Sequence, residues 1–129
     1  MLFRSPTDWV EPSLPLNQKI IDSLKQIQRK GQRPIPLPTI HQAPVWTTPA
    51  PFRETKAEVS EYAKRGMAAV EMETASLFAA AQFLGLASSA VLVISDSFAT
   101  GTHQLPPKPS RIDDQILAIT KNLVHLFNV

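Results

Sequence analysis

From Thr74 to Ser95 the chain carries no charged side chain for 22 residues, and acidic residues stand on both sides, Glu71-Met72-Glu73 before it and Asp96 after it. A run of that length must leave water, and it has few ways to do so: a membrane span, a buried helix, or a helix followed by a buried strand. Gln82, Gly85, Ser88 and Ser89 interrupt it and no aromatic belt or Lys/Arg flank anchors its ends, so a bilayer is a poor host. Ala75 to Leu84 reads instead as a helix, Gly85 as its stop, and Ala90 to Ile94 as a buried strand. Met67 to Val70, just ahead, reads as another short strand. Strands joined by a crossover helix run parallel and end at the same sheet edge. The expectation is a strand-helix-strand unit with Glu71-Met72-Glu73 and Ser95-Asp96 at neighbouring carboxyl ends, where open α/β sheets bind their ligands.

The rest of the chain has two textures. Nine of its twelve prolines lie at or before Pro51, so the early part is mostly extended or looped and the later part regular. One helix interrupts the proline-rich lead: Leu16, Ile20, Leu24 and Ile27, with Ile21 beside them, form an apolar stripe, and Gly31 ends it. Arg33 to Pro38 cannot enter a sheet interior, because its three prolines donate no amide hydrogen. Ala43 to Thr48 favours a strand, Glu54 to Arg65 a helix with acids early and bases late, stopped by Gly66. In the last element, Ile112 to Phe127, the residues Ile112, Ile116, Ile119, Leu123 and Leu126 form a stripe expected to pack on the sheet. The order predicts a layered α/β fold with three strands.

At 129 residues this is one domain, large enough to bury roughly two thirds of its unfolded surface. A net charge of +2, with bases scattered, lacks the footprint of a nucleic-acid binder. The absence of cysteine fits a reducing cytoplasm, and Met1 to Val10, with two charges and a proline, does not read as a signal peptide. His41, His103 and His125 are far apart without ligand spacing, so no metal site is expected, and no Walker, Gly-x-Ser-x-Gly or dinucleotide motif occurs. Neither nucleic acid nor membrane is expected as a partner.

A carboxylate in the first turn of a helix, such as Glu73, can be held ionised by free backbone amides and by the positive end of the dipole. Its two oxygens then suit both hydroxyls of a vicinal diol, as in a ribose. Asp96, at the end of an apolar strand beside Ser95, is expected to have its pKa raised by desolvation and to keep a proton to donate. Together the two would suit departure of a base from a sugar. The competing reading is structural: Glu is common in a first helical turn, Asp is a common turn residue after a strand, and Met72 by itself reads as core.

Three motifs in order carry a resemblance: Val45-Trp46-Thr47-Thr48-Pro49-Ala50-Pro51-Phe52-Arg53-Glu54-Thr55, then Gly66-Met67-Ala68-Ala69-Val70-Glu71-Met72-Glu73-Thr74-Ala75, then Val91-Leu92-Val93-Ile94-Ser95-Asp96. Together they closely resemble the nucleoside phosphorylase family, which includes uridine and purine nucleoside phosphorylases. The resemblance implies a layered α/β/α fold, a partial mixed sheet with crossover helices, corresponding to the carboxyl-terminal half of the phosphorylase fold. Residues 1–44 would be a proline-rich lead with one helix and 45–129 the motif-bearing region. It implies that Glu73 binds the ribose hydroxyls, Met72 packs on the sugar and Glu71 supports the pocket. Ser95 would line it, Asp96 would be the acid that meets the leaving base in purine-cleaving members, and Phe52 and Arg53 would lie near the base. The activity implied is that of a pentosyltransferase of nucleoside salvage in the cytoplasm, with inorganic phosphate as co-substrate and no other cofactor. Two departures stand out. Family members usually have Asp where this chain has Pro49, and their amino-terminal half, which carries the phosphate-holding loop and arginines, precedes the region matched here. Three functions are compatible with the resemblance: a nucleoside phosphorylase, usually a homo-oligomer; a half that acts only with a complementing amino-terminal half or another copy; or a hydrolytic nucleosidase, with Phe52-Arg53-Glu54-Thr55 favouring phosphorolysis.

Overall fold

The computed structural model describes residues 9–30, 39–50, 54–98, 102–105 and 110–127. The elements run α1 (Leu14–Lys30), β1 (Val45–Thr47), α2 (Lys56–Lys64), β2 (Ala69–Glu71), α3 (Thr74–Phe83) and α4 (Ser110–Phe127). Two compact units emerge, one of Met1–Asn17 with His41–Ala90, the other of Gln18–Ile40 with Val91–Val129. The fold is α/β, and its sheet is parallel with a helical crossover.

In the first unit the sheet consists of β1 and β2, with Val45, Trp46 and Thr47 opposite Ala69, Val70 and Glu71. Backbone bonds from Ala68 N–H to Pro44 C=O (3.0 Å) and from Thr48 N–H to Glu71 C=O (2.8 Å) extend the pairing beyond both ends. Helix α2 makes the crossover. Its start is a reciprocal capping box: Thr55 Oγ1 accepts from Glu58 N–H and Glu58 Oε2 accepts from Thr55 N–H, at 3.2 and 3.1 Å. Tyr62 on α2 stacks on Trp46 of β1, with centroids 4.2 Å apart, which ties the crossover to the strand. Both α2 and α3 end in the same way. Gly66 (φ +85°) and Gly85 (φ +67°) adopt the left-handed conformation that a side chain disfavours. That turn lets Met67 N–H reach Tyr62 C=O and Leu86 N–H reach Ala81 C=O, the six-to-one bond of a Schellman stop.

On α3, Thr74, Phe78 and Ala81 are buried and keep the four-then-three spacing of one helical face. The segment before α1 and the first turn of that helix are fastened by Ser13 N–H to Ser88 C=O (2.8 Å), Gln82 Nε2 to Glu11 C=O (3.1 Å) and Ser89 Oγ to Asn17 Oδ1 (3.0 Å). In the second unit, Ile20, Ile21 and Leu24 are the buried members of the predicted α1 stripe. Lys19 sets its ammonium 5.0 Å from the centre of the Phe127 ring of α4.

Two expectations are corrected. Residues 90–94 join no ladder among the described residues, so the strand-helix-strand unit expected across α3 is absent and the one present is β1-α2-β2. Burial still alternates there, Val91 and Val93 half-buried and Leu92 and Ile94 exposed, as along a one-sided strand. Side-chain pattern is local, but a ladder needs a neighbour. The second correction concerns α4, none of whose residues is buried; Ile116 is 48% exposed.

Candidate functional site

Parallel pairing places Thr47 opposite Glu71 at the carboxyl ends of β1 and β2, so their side chains leave the same face at the same level. They form a small network with the start of α3. The Thr47 hydroxyl donates a short hydrogen bond to Glu71 Oε1. Glu71 Oε2 accepts from the backbone N–H groups of Glu73 (2.7 Å) and Thr74 (2.6 Å). Thr47 Oγ1 in turn accepts from Ala75 N–H at 3.1 Å. Those three amides have no partner within the helix. A carboxylate and a hydroxyl delivered by two strands therefore cap the helix after them.

Partial burial pushes the Glu71 carboxyl up, but hydrogen bonds from the Thr47 and Thr74 hydroxyls and from the Glu73 and Thr74 amides outweigh it. Its pKa lies below the ordinary 4.5. The assignment of the helix-held carboxylate to Glu73 is thus corrected to Glu71. Glu73 is the N-cap residue, yet its side chain makes no cap bond. Geometry explains the exchange: Glu71, still on the strand, lies close enough to fold back over the helix start and occupies the amides first. The Glu73 side chain stays exposed at the head of α3, and Met72, read as core by itself, is 40% exposed.

Asp96 and Ser95 belong to the second unit. There the chain doubles back so that Ser97 and Gln104 form an antiparallel bridge, with N–H···O distances of 2.9 and 2.8 Å in the two directions. That closure brings His103 Nε2 to 2.6 Å from Asp96 Oδ2, while Ser95 Oγ donates to Asp96 Oδ1 at 3.0 Å. The His103 ring stacks on Phe98, 4.9 Å between centroids and 12° from parallel. The His103 hydrogen bond lowers the Asp96 pKa, desolvation opposes it, and the Ser95 hydroxyl and the His103 charge add to the lowering, which prevails. The expected raised pKa is therefore corrected. The Asp96 side chain is 39% exposed, too open for desolvation to prevail against a partner so near.

The predicted residues thus fall into two groups. Glu71, Met72 and Glu73 sit together at the β2–α3 junction, and Ser95 and Asp96 directly precede the Ser97–Gln104 bridge. Phe52 and Arg53 lie outside the described residues. An open cleft of ≈ 590 Å³ is lined by Thr48, Pro49, Ala50, Thr55 and Glu58, next along the chain from the Thr47 cap. Among the described residues no three His, Asp or Glu side chains are grouped to hold a metal ion, and no helix is long and apolar enough to cross a membrane. Sequence reasoning missed Thr47 and His103. Thr47 bore a partial sign, a polar residue in the expected Ala43–Thr48 strand, although that strand was not expected beside Met67–Val70; His103, seven residues beyond Asp96, bore none.

The family model described as "Phosphorylase superfamily" matches residues 3–122. Neither the curated proteins nor the solved structures give a significant match.

Proposed function

The chain belongs to the phosphorylase superfamily, and from that membership we propose that it serves nucleoside phosphorolysis, cleaving the N-glycosidic bond with inorganic phosphate to give a free base and ribose 1-phosphate. The observation that carries this reading is the division of labour at the α3 start. Glu71 is consumed by capping, and Glu73, two residues on, keeps an exposed carboxylate beside the exposed Met72. A carboxylate fixed by its backbone but not engaged by the cap suits a vicinal diol, accepting one hydroxyl on each oxygen. Met72 offers a flexible apolar surface for the sugar face. Glu71 and Thr47 fix the backbone from which both project. Asp96 with Ser95, on this reading, meets the departing base, and Phe52 and Arg53 serve the base side. Phosphate attacks C1′ as the C1′–N bond breaks, and the bond's electron pair leaves with the base.

The test is phosphate-dependent release of base from uridine, inosine and adenosine by the purified chain. Glu73→Ala should raise KM for every nucleoside that is cleaved. Release that is equally fast without phosphate would replace phosphorolysis by hydrolysis, and unchanged kinetics in Glu73→Ala would remove the ribose assignment.

A second reading has its own observation. Residues 90–94 keep the alternation of a strand without a ladder among the described residues, and Leu92 and Ile94 are exposed. Such an edge fits pairing with a strand from a complementing chain or from another copy. Light scattering of the purified chain tests it, since a monomer across the micromolar range would argue against association with itself.

A further inference from the structure

The proton needed by a leaving base raises a question at Asp96. When the C1′–N bond of a purine nucleoside breaks, a phosphate oxygen takes the place of the base at C1′, and a ring nitrogen of the base must gain a proton to leave as a neutral molecule. Asp96 is held ionised, so it has no proton of its own to give near neutral pH. His103 is hydrogen-bonded to it through Nε2 at 2.6 Å. We propose that His103 is the proton-supplying and positioning partner of Asp96, the two acting as one donor toward the departing base, with Phe98 fixing the imidazole plane. The inference rests on the phosphorolytic reading above and deepens it.

The step balances without another reactant. A His103 imidazolium gives its Nε2 proton to Asp96 Oδ2, and the carboxyl so formed passes that proton on to the ring nitrogen of the base. The imidazolium becomes neutral, the carboxylate ends as it began, and the base leaves protonated. Three features of the turn support the pairing independently of charge. The Ser97–Gln104 bridge closes the two arms, the Phe98 ring lies parallel to the imidazole at 4.9 Å, and the Ser95 hydroxyl holds the other carboxylate oxygen. Together they leave His103 little freedom to swing away. Among the described residues His103 also acts on Asp96 as a charge, the Ser95 hydroxyl adds a hydrogen bond, and the Phe98 ring lies against the imidazole.

The experiment compares wild type with His103→Gln, which keeps an amide donor for Asp96 but carries no proton that titrates. General acid assistance of this kind contributes about 10²-fold or more. The expected result on inosine is a kcat lowered by about 10²-fold, an unchanged KM, and loss of the alkaline limb of the pH–kcat profile. On p-nitrophenyl β-D-riboside, whose leaving group departs as a stable anion, the variant should keep the wild-type kcat. Asp96 should also titrate nearer the ordinary carboxylate value in His103→Gln, read by carbon NMR of its side chain. An unaltered inosine profile, or equal losses on both substrates, overturns the proposal while the phosphorolytic reading stands. An Asp96 titration that ignores the substitution overturns it as well. A wild type that releases no base from any nucleoside brings down the phosphorolytic reading, and this inference with it.

Discussion

Glu71 and Asp96 both have lowered pKa values, but their partners differ in kind. Glu71 is held by two backbone amides and the Thr47 hydroxyl, donors that keep their protons at any ordinary pH and are placed by strand register and helix geometry. Asp96 is held mainly by His103, a side chain whose position depends on one bridge and one stacked ring. The first carboxylate is built into the fold. The second is adjustable, because one side-chain partner on a closed bridge does most of the holding.

The sharpest way to break this comparison is to remove each carboxylate in turn. Glu71→Ala strips the α3 start of its acceptor and should cost about 2 kcal/mol, in the range of charged hydrogen bonds and helix caps. Asp96→Ala loses a half-exposed pair and should cost at most about 0.5 kcal/mol. Urea titrations of both variants measure the contrast. Equal losses would mean that Asp96 is as structural as Glu71. Thr47→Val, which keeps the shape of the strand residue and removes the hydroxyl shared by Glu71 and Ala75, should cost about 1 kcal/mol. Because Glu71 would then hold the α3 start less firmly, the variant should also raise KM for a nucleoside, and Thr47→Ser should restore it.

How much of this was readable in the sequence divides along the same line. The α2 stop at Gly66, the α3 stop at Gly85 and the α1 stripe through Ile20 and Leu24 depend on residues within one or two helical turns, and each is where pattern predicts it. The rule that parallel strands end at one edge also held, but for β1 and β2 rather than for β2 and residues 90–94. The apolar pattern of that segment shows how its side chains alternate, whereas pairing is decided by a neighbour distant in sequence. Glu71 and Glu73 exchanged roles for a similar reason: both lie within reach of the α3 amides, and the Thr47 hydroxyl, 24 residues earlier, holds the other oxygen of Glu71. At Asp96 the expectation weighed burial without the partner. Composition could not reveal that a turn returns His103 to 2.6 Å.

Acid sharpens the comparison with a smaller effect. A carboxyl whose folded pKa is lowered contributes stability that is complete above its unfolded value and is lost as pH falls through the folded one. For Glu71 that window begins at about 4.5 and extends below it. Unfolding free energies measured from pH 6 down to 3 should fall in wild type, and Glu71→Gln should flatten part of that slope. If the slope is unchanged, the cap does not hold the ionised form.

Salt gives the smallest effect and separates the two carboxylates most cleanly. Screening acts on pairs open to solvent, and at 1 M the Debye length shrinks to about 3 Å. The side chains of His103 and Asp96 are 49% and 39% exposed, so part of their attraction should be lost. Carbon-detected titration in 1 M sodium chloride should therefore move the Asp96 midpoint upward, toward its ordinary 3.8. Glu71 should hold its midpoint, because it is lowered by hydrogen bonds from neutral donors placed by the backbone, and screening acts weakly on these. Movement of both midpoints by the same amount would mean that long-range charge, not the local donors, lowers them, and the distinction between a fixed and an adjustable carboxylate would fail.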